Sequence, residues 1–160
     1  MKTHNLFSSV ILIGFGLYYL LSQSSVTLFD GFYSWPTLLC IVGLAFLAQA
    51  YKAKQYEYIL PGIILLGFGI HFHVIQNFHF WSDNIGVFIL IISLGLMLQA
   101  QKTNKGMLPG ILILAIAVFI LFNDAFMETL HSTEMFANQS VSLVPIILLG
   151  FGILVLFFKK

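Results

Sequence analysis

Apolar runs at residues 6–21, 35–50, 59–75, 85–100, 107–122 and 143–158 take up most of this chain, and each is 16 or 17 residues long. At 1.5 Å per residue, such a run makes a helix about 24–26 Å long. That is slightly short of a hydrocarbon core about 30 Å thick, a gap that flanking aromatics and snorkelling lysines can close. Charged residues make up only 8% of the 160, against about 25% in a soluble domain. With so little polar surface, lipid has to be the solvent. The reading is an all-α integral membrane protein, a bundle of six transmembrane helices forming a single transmembrane domain over residues 1–160.

The placement of charge orients the bundle. Every basic residue is a lysine: Lys2, Lys52, Lys54, Lys102, Lys105, Lys159 and Lys160. They fall before the first run, between the second and third, between the fourth and fifth, and after the sixth, segments that share one side of the membrane. Asp30, Asp83, Asp124, Glu128 and Glu134 fall in the other connections, and only Glu57 joins the lysines. Because lysine-rich loops stay cytoplasmic, both termini are expected inside. Trp35 and Trp81 then mark the outer boundary, and Tyr51, Tyr56 and Tyr58 the inner one. Short inner connections make spans two and three, and spans four and five, antiparallel neighbours. The polar stretch 123–142 reads as the longest outer loop. Lys2, an apolar core and Ser22-Gln23-Ser24 also fit a secretory signal peptide, but span one carries the same glycine unit as spans three and six, so it is expected to stay as a helix.

That unit recurs along the chain. Ile63-Ile64-Leu65-Leu66-Gly67-Phe68-Gly69-Ile70 reappears unchanged at 146–153, and Val10 to Leu17 is a looser copy with Gly14 and Gly16. Proline opens several spans: Pro36 ahead of Gly43, Pro61-Gly62 ahead of Gly67 and Gly69, Pro109-Gly110 ahead of Ala115 and Ala117, and Pro145 ahead of Gly150 and Gly152. Gln49-Ala50 and Lys52 return as Gln99-Ala100 and Lys102, a shift of 50 residues. The chain therefore reads as about three repeated helical hairpins. Proline in a first turn loses no hydrogen bond, and glycine in lipid lets helix backbones approach. Residues i and i+2 lie about 200° apart on a helix, so Gly67 and Gly69 notch opposite faces and suit a helix with two neighbours. Gly14, Gly16, Gly43, Gly67, Gly69, Ala115, Ala117, Gly150 and Gly152 are the expected helix-packing positions.

Candidates for chemistry are few. The spans hold almost no ionisable group, which argues against a pump or a proton-coupled carrier. The motifs of zinc proteases, nucleophile elbows and phosphate loops are missing. Catalytic and cofactor-binding residues are therefore expected to be none, as are cofactors, and no nucleic acid partner is expected. Cys40 is the only cysteine, so no intramolecular disulfide forms. His71, His73 and His79, with Asp83 nearby, are the weak metal candidates. On a continuous helix, His71 and His73 point to opposite faces, which makes joint ligation awkward. Interfacial histidines, or histidines that respond to pH, are the other readings.

Trp35-Pro36-Thr37-Leu38-Leu39-Cys40-Ile41-Val42-Gly43, together with Pro61-Gly62-Ile63-Ile64-Leu65-Leu66-Gly67-Phe68-Gly69, resembles the LiaI-LiaF-like transmembrane region of bacterial envelope-stress proteins. Such glycine-spaced hairpins are also similar to HdeD-like membrane proteins. The resemblance implies a multi-pass, non-catalytic protein of the bacterial plasma membrane. Some members inhibit a sensor kinase or scaffold partners during cell-wall damage. The chain ends at Lys160 without the soluble C-terminal domain of the inhibitor type, which shifts the expectation from direct kinase inhibition to scaffolding. The expected partners are the lipid bilayer and other membrane proteins, a sensor kinase among them, or a second copy of the chain. The alternative is a small transporter or channel for a neutral or apolar solute.

Overall fold

A computed structural model of the chain describes residues 5–24, 26, 28–78, 83–104 and 106–131. Its helices are α1 (Asn5–Gln23), α2 (Trp35–Lys52), α3 (Ile59–Asn77), α4 (Ile85–Thr103) and α5 (Leu108–His131), with a 3-10 turn at Tyr56–Tyr58 leading into α3. No strand occurs among the described residues. Local sequence explains the boundaries. Pro36 sits in the first turn of α2, where its missing N–H costs nothing. The Asn84 side chain caps α4 by accepting from the Gly86 N–H at 2.6 Å, and Asn104, at φ 52°, ends the same helix in the left-handed region that asparagine tolerates.

Four of these helices, within Leu6–Gln23, Trp35–Lys52, Tyr56–Asn77 and Ile85–Thr103, are long and apolar enough to cross a membrane, and α5 contributes a shorter apolar stretch, Leu108–Asn123. At 18 or 19 residues, α1 to α4 exceed the apolar runs that seed them. α5 departs further from expectation. Its backbone stays helical through His131, into what reads by polarity as outer loop. Ala125, Met127, Glu128 and Leu130 favour helix, and neither glycine nor proline interrupts them. Asp124, Glu128 and His131 thus lie on a helix. The expected sixth span at 143–158, with Gly150 and Gly152, lies outside the described residues, as do His79, Trp81 and Glu134.

The described helices pack in chain order, and each has its extensive helix contacts with its sequence neighbours. α2 with α3, and α4 with α5, form the two largest interfaces; α3 with α4, and α1 with α2, join them into a row. α1 and α5 occupy the ends. The buried residues are mostly small, Ala45, Ala50, Ala100 and Ala117 with Ile59 and Ile120, while large side chains such as Leu12 and Phe122, each 73% exposed, face outward. This inside-out pattern follows from a lipid solvent. Burying leucine gains nothing over hydrocarbon, so close backbone approach takes over.

The glycines show where that approach occurs. A Cβ on Gly43 would stand 2.5 Å from the Leu66 backbone nitrogen, and one on Gly69 would stand 2.8 Å from the Pro36 carbonyl oxygen and 3.0 Å from the Cys40 nitrogen. Gly62 faces Leu47 of α2 across the same interface, and Gly110 of α5 faces Met97 of α4 in the corresponding way. Both glycines follow a proline, and Leu47 and Met97 are separated by the same shift of 50 residues that relates Gln49 to Gln99.

Candidate functional site

α3 is two-faced, and its register places a glycine and a histidine on each face. Gly62 and Gly69 face α2, whereas Gly67 faces Ile91 of α4, and Leu60 and Ile63 stand over Gly95 of α4. One turn beyond each glycine of the 67/69 pair lies a histidine. His71, on the α4 side, is 3% exposed; its Nε2 stands 3.6 Å from the Asp83 carboxylate and its ring lies edge-on to Phe88 at 4.8 Å. His73, on the α2 side, has Nε2 2.9 Å from the Thr37 hydroxyl and its ring edge-on to Phe29 at 5.1 Å. The same i, i+2 geometry that sends two glycines to two helices therefore sends two histidines to two helices.

Hydrogen-bond direction sets which way the Thr37–His73 bond runs. The Thr37 hydroxyl donates to the Phe32 carbonyl, so its oxygen accepts from His73, which places the ring proton on Nε2. Nδ1 is buried, with no hydrogen-bond partner among the described residues. One turn on, the Asn77 side-chain amide donates to the His73 carbonyl at 2.9 Å.

These groups border a cavity of about 540 Å³ lined by Phe29, Phe32, Thr37, Cys40, Ile70, His73, Val74, Asn77 and Phe78. The segment between α1 and α2 closes one side. Gly31, at φ +79°, turns that segment toward α3, and the Gln76 side chain lies where a Cβ on Gly31 would meet it at 3.2 Å. Glycine adopts this left-handed conformation without strain.

The opposite ends of the helices have their own polar ties. Gln49, 4% exposed, accepts from the Phe7 N–H at 3.1 Å and donates to the Gln55 side chain. Gln99 donates to the Glu57 carbonyl at 3.2 Å. Phe7 and Glu57 differ by the same 50 residues as the two glutamines, so each glutamine reaches the start of the helix that precedes its own. These roles are invisible in the sequence, where the glutamines register only as a repeat.

Placed on this frame, the packing candidates separate. Gly14 contacts Ile41, and Gly43, Gly67 and Gly69 contact neighbouring helices as described. Ala117 is fully buried. Gly16 faces outward with nothing within 4 Å of a Cβ built on it, and Ala115 is exposed. His71 and His73 diverge onto different helices, and no group of three metal-ligating side chains occurs among the described residues.

Residues 6–47, covering most of α1 and α2, match the LiaI-LiaF-like transmembrane region. The resemblance read from the sequence holds there. The Trp35–Gly43 motif lies inside the matched stretch and the Pro61–Gly69 motif beyond it. Across its whole length the chain is similar to an uncharacterized membrane protein, YsxD, of Bacillus subtilis (strain 168), at 23% identity over 160 residues that make up 97% of that protein. No solved structure matches the chain. It is a membrane protein with several apolar helices and a LiaI-LiaF-like region, and neither likeness points to catalysis.

Proposed function

We propose that this chain is a non-catalytic, multi-pass protein of the bacterial plasma membrane that binds or scaffolds other membrane proteins in the cell-envelope stress response. The supporting observation is the unpartnered face of α1. Its extensive helix contact among the described helices is with α2 alone, and Leu12, Ile13, Leu17 and Leu20 all point outward around the notch at Gly16. Among the described residues nothing packs against Gly16. A glycine in lipid that costs helix propensity gains most where another helix lies on it. The face also falls within the stretch matching the LiaI-LiaF-like region.

In the full proposed architecture, six spans arise from about three hairpins, with both termini cytoplasmic. The paired contacts Gly62–Leu47 and Gly110–Met97, and the paired glutamine ties, support duplication. The alternation of lysine-bearing connections supports the orientation. The occupant of the α1 face is a helix of another membrane protein, such as a sensor kinase, or of a second copy.

Crosslinking a tagged chain in the membrane, before and after a cell-wall antibiotic, tests this reading by mass spectrometry of what it captures. Repeated recovery of one envelope protein, lost in Gly16→Leu, is the expected result. Recovery of the tagged chain as an uncrosslinked monomer, with neither another protein nor a second copy, under both conditions would overturn it.

A further inference from the structure

The cavity between α2, α3 and the segment preceding α2 is the feature that the packing account leaves unexplained. Its volume, about 540 Å³, falls in the range of roughly 300–1,000 Å³ usual for ligand sites. Its wall is almost entirely carbon, and the polar side chains around it turn inward on the protein. The Thr37 hydroxyl is engaged by Phe32 and His73, His73 Nδ1 is buried, and the Asn77 amide is held by the His73 carbonyl. A water there would lack the two to four or so polar partners that hold one in place. An empty space would leave Phe29 and Val74 without dispersion contacts on the cavity side.

We propose that this cavity binds the hydrocarbon chain of a membrane lipid with an uncharged head. Ile70, Phe29 and Phe78 are 51%, 44% and 51% exposed, so an apolar path runs from the outside of the protein into the cavity. Charge at this end selects the head. Asp30, next to Phe29, is exposed, whereas the described lysines, Lys52, Lys54 and Lys102, lie in or just past the last turns of α2 and α4, away from the cavity. Among the described residues no lysine there offsets a phosphate, and a carboxylate repels one. The chain inserts between Phe29 and Phe78 and lies along Val74 and Cys40, with a hydroxyl or ester head left at the mouth.

The test uses the full chain in nanodiscs with a diazirine-bearing hexadecanol, run beside a phosphatidylglycerol carrying the same photoreactive chain. The alcohol is expected to label peptides containing Phe29, Val74 and Phe78, with labelling competed by excess plain hexadecanol. Val74→Trp, which fills the cavity, should abolish that labelling while leaving adducts on outward residues such as Leu12 and Phe119. Equal labelling of Leu12 and Val74, untouched by competitor, would overturn the site; equal labelling by phosphatidylglycerol would overturn the uncharged head. A second readout needs no substitution. Cys40, the only cysteine, lines the cavity, and plain hexadecanol should slow its modification by a small membrane-permeant maleimide. An unchanged rate counts against the proposal.

Discussion

α3 and α1 carry the same kind of glycine pair and use it differently. Gly67 and Gly69 meet two helices of this chain, Ile91 of α4 on one side and the Pro36–Cys40 turn of α2 on the other. Gly14 meets Ile41 of α2, but Gly16 meets nothing among the described residues. The local sequences are nearly identical, so the difference comes from position in the row: α3 lies between two neighbours and α1 at an end. Two notches specify how many helices a segment can pack against. The rest of the chain decides how many of those contacts are internal, and an unused notch remains free for another molecule.

The sharpest way to break this comparison is at α2–α3. Gly43→Leu would drive a side chain into the Leu66 backbone, where nothing flexible can yield. Overpacking against backbone should cost about 3 kcal/mol or more, and the expected outcome is loss of folded protein from detergent extracts, measured by fluorescence-detected size exclusion. Gly69→Leu, against the Pro36 carbonyl and Cys40 nitrogen, should behave alike. A folded, monodisperse Gly43→Leu protein would undo the close α2–α3 packing.

Gly67→Leu should be milder. Its nearest obstacle is the Ile91 side chain, 2.5 Å from a built Cβ but able to change rotamer. A cost of about 1–2 kcal/mol is expected, seen as a lower Tm with the fold retained. Combining it with Ile91→Ala should restore most of the loss, because the obstacle is that one side chain. Failure of the double substitution to recover would mean that α3 and α4 meet through something other than this contact.

The glutamines extend the comparison to the opposite ends of the helices. Gln49→Leu leaves the Phe7 N–H without its acceptor at a position where the glutamine is buried, and about 1–3 kcal/mol is expected. Gln99→Leu removes a contact that is partly exposed and should cost less, about 1 kcal/mol. Tm shifts of the two variants measured side by side check the order. A larger effect at Gln99 would show that the tie to the turn before α3 matters more than the tie to α1.

Much of this fold is legible in the sequence because lipid restricts the choices. Without water, backbone groups must pair within their own segment, so each apolar run that the structure describes becomes a helix. The i, i+2 spacing was enough to place Gly67 and Gly69, and His71 and His73, on opposite faces of α3. α5 was harder to bound, because the residues after Asn123 are polar enough to suggest loop yet are good helix formers. The cavity had no signature at all. It is assembled from Phe29, Cys40 and Val74, residues far apart in sequence and unremarkable in an apolar chain. The Thr37–His73 bond joins positions 36 residues apart, which no local pattern encodes.

Gly16→Leu should have the smallest effect on the protein alone and decides most about the comparison. Open space surrounds the site, and leucine favours helix over glycine by about 1 kcal/mol, so the purified protein should keep or slightly raise its Tm. If the outward notch is a contact for another helix, capture of that partner should fall sharply while insertion and stability stay normal. Gly14→Leu supplies the contrast, since its Cβ would meet Ile41 within the chain and should lower Tm. Should Gly16→Leu leave both stability and partner capture unchanged, the glycine pair of α1 would be a remnant of the repeat that only its inner half still uses, and the binding face would have to be sought on the outward side of α5.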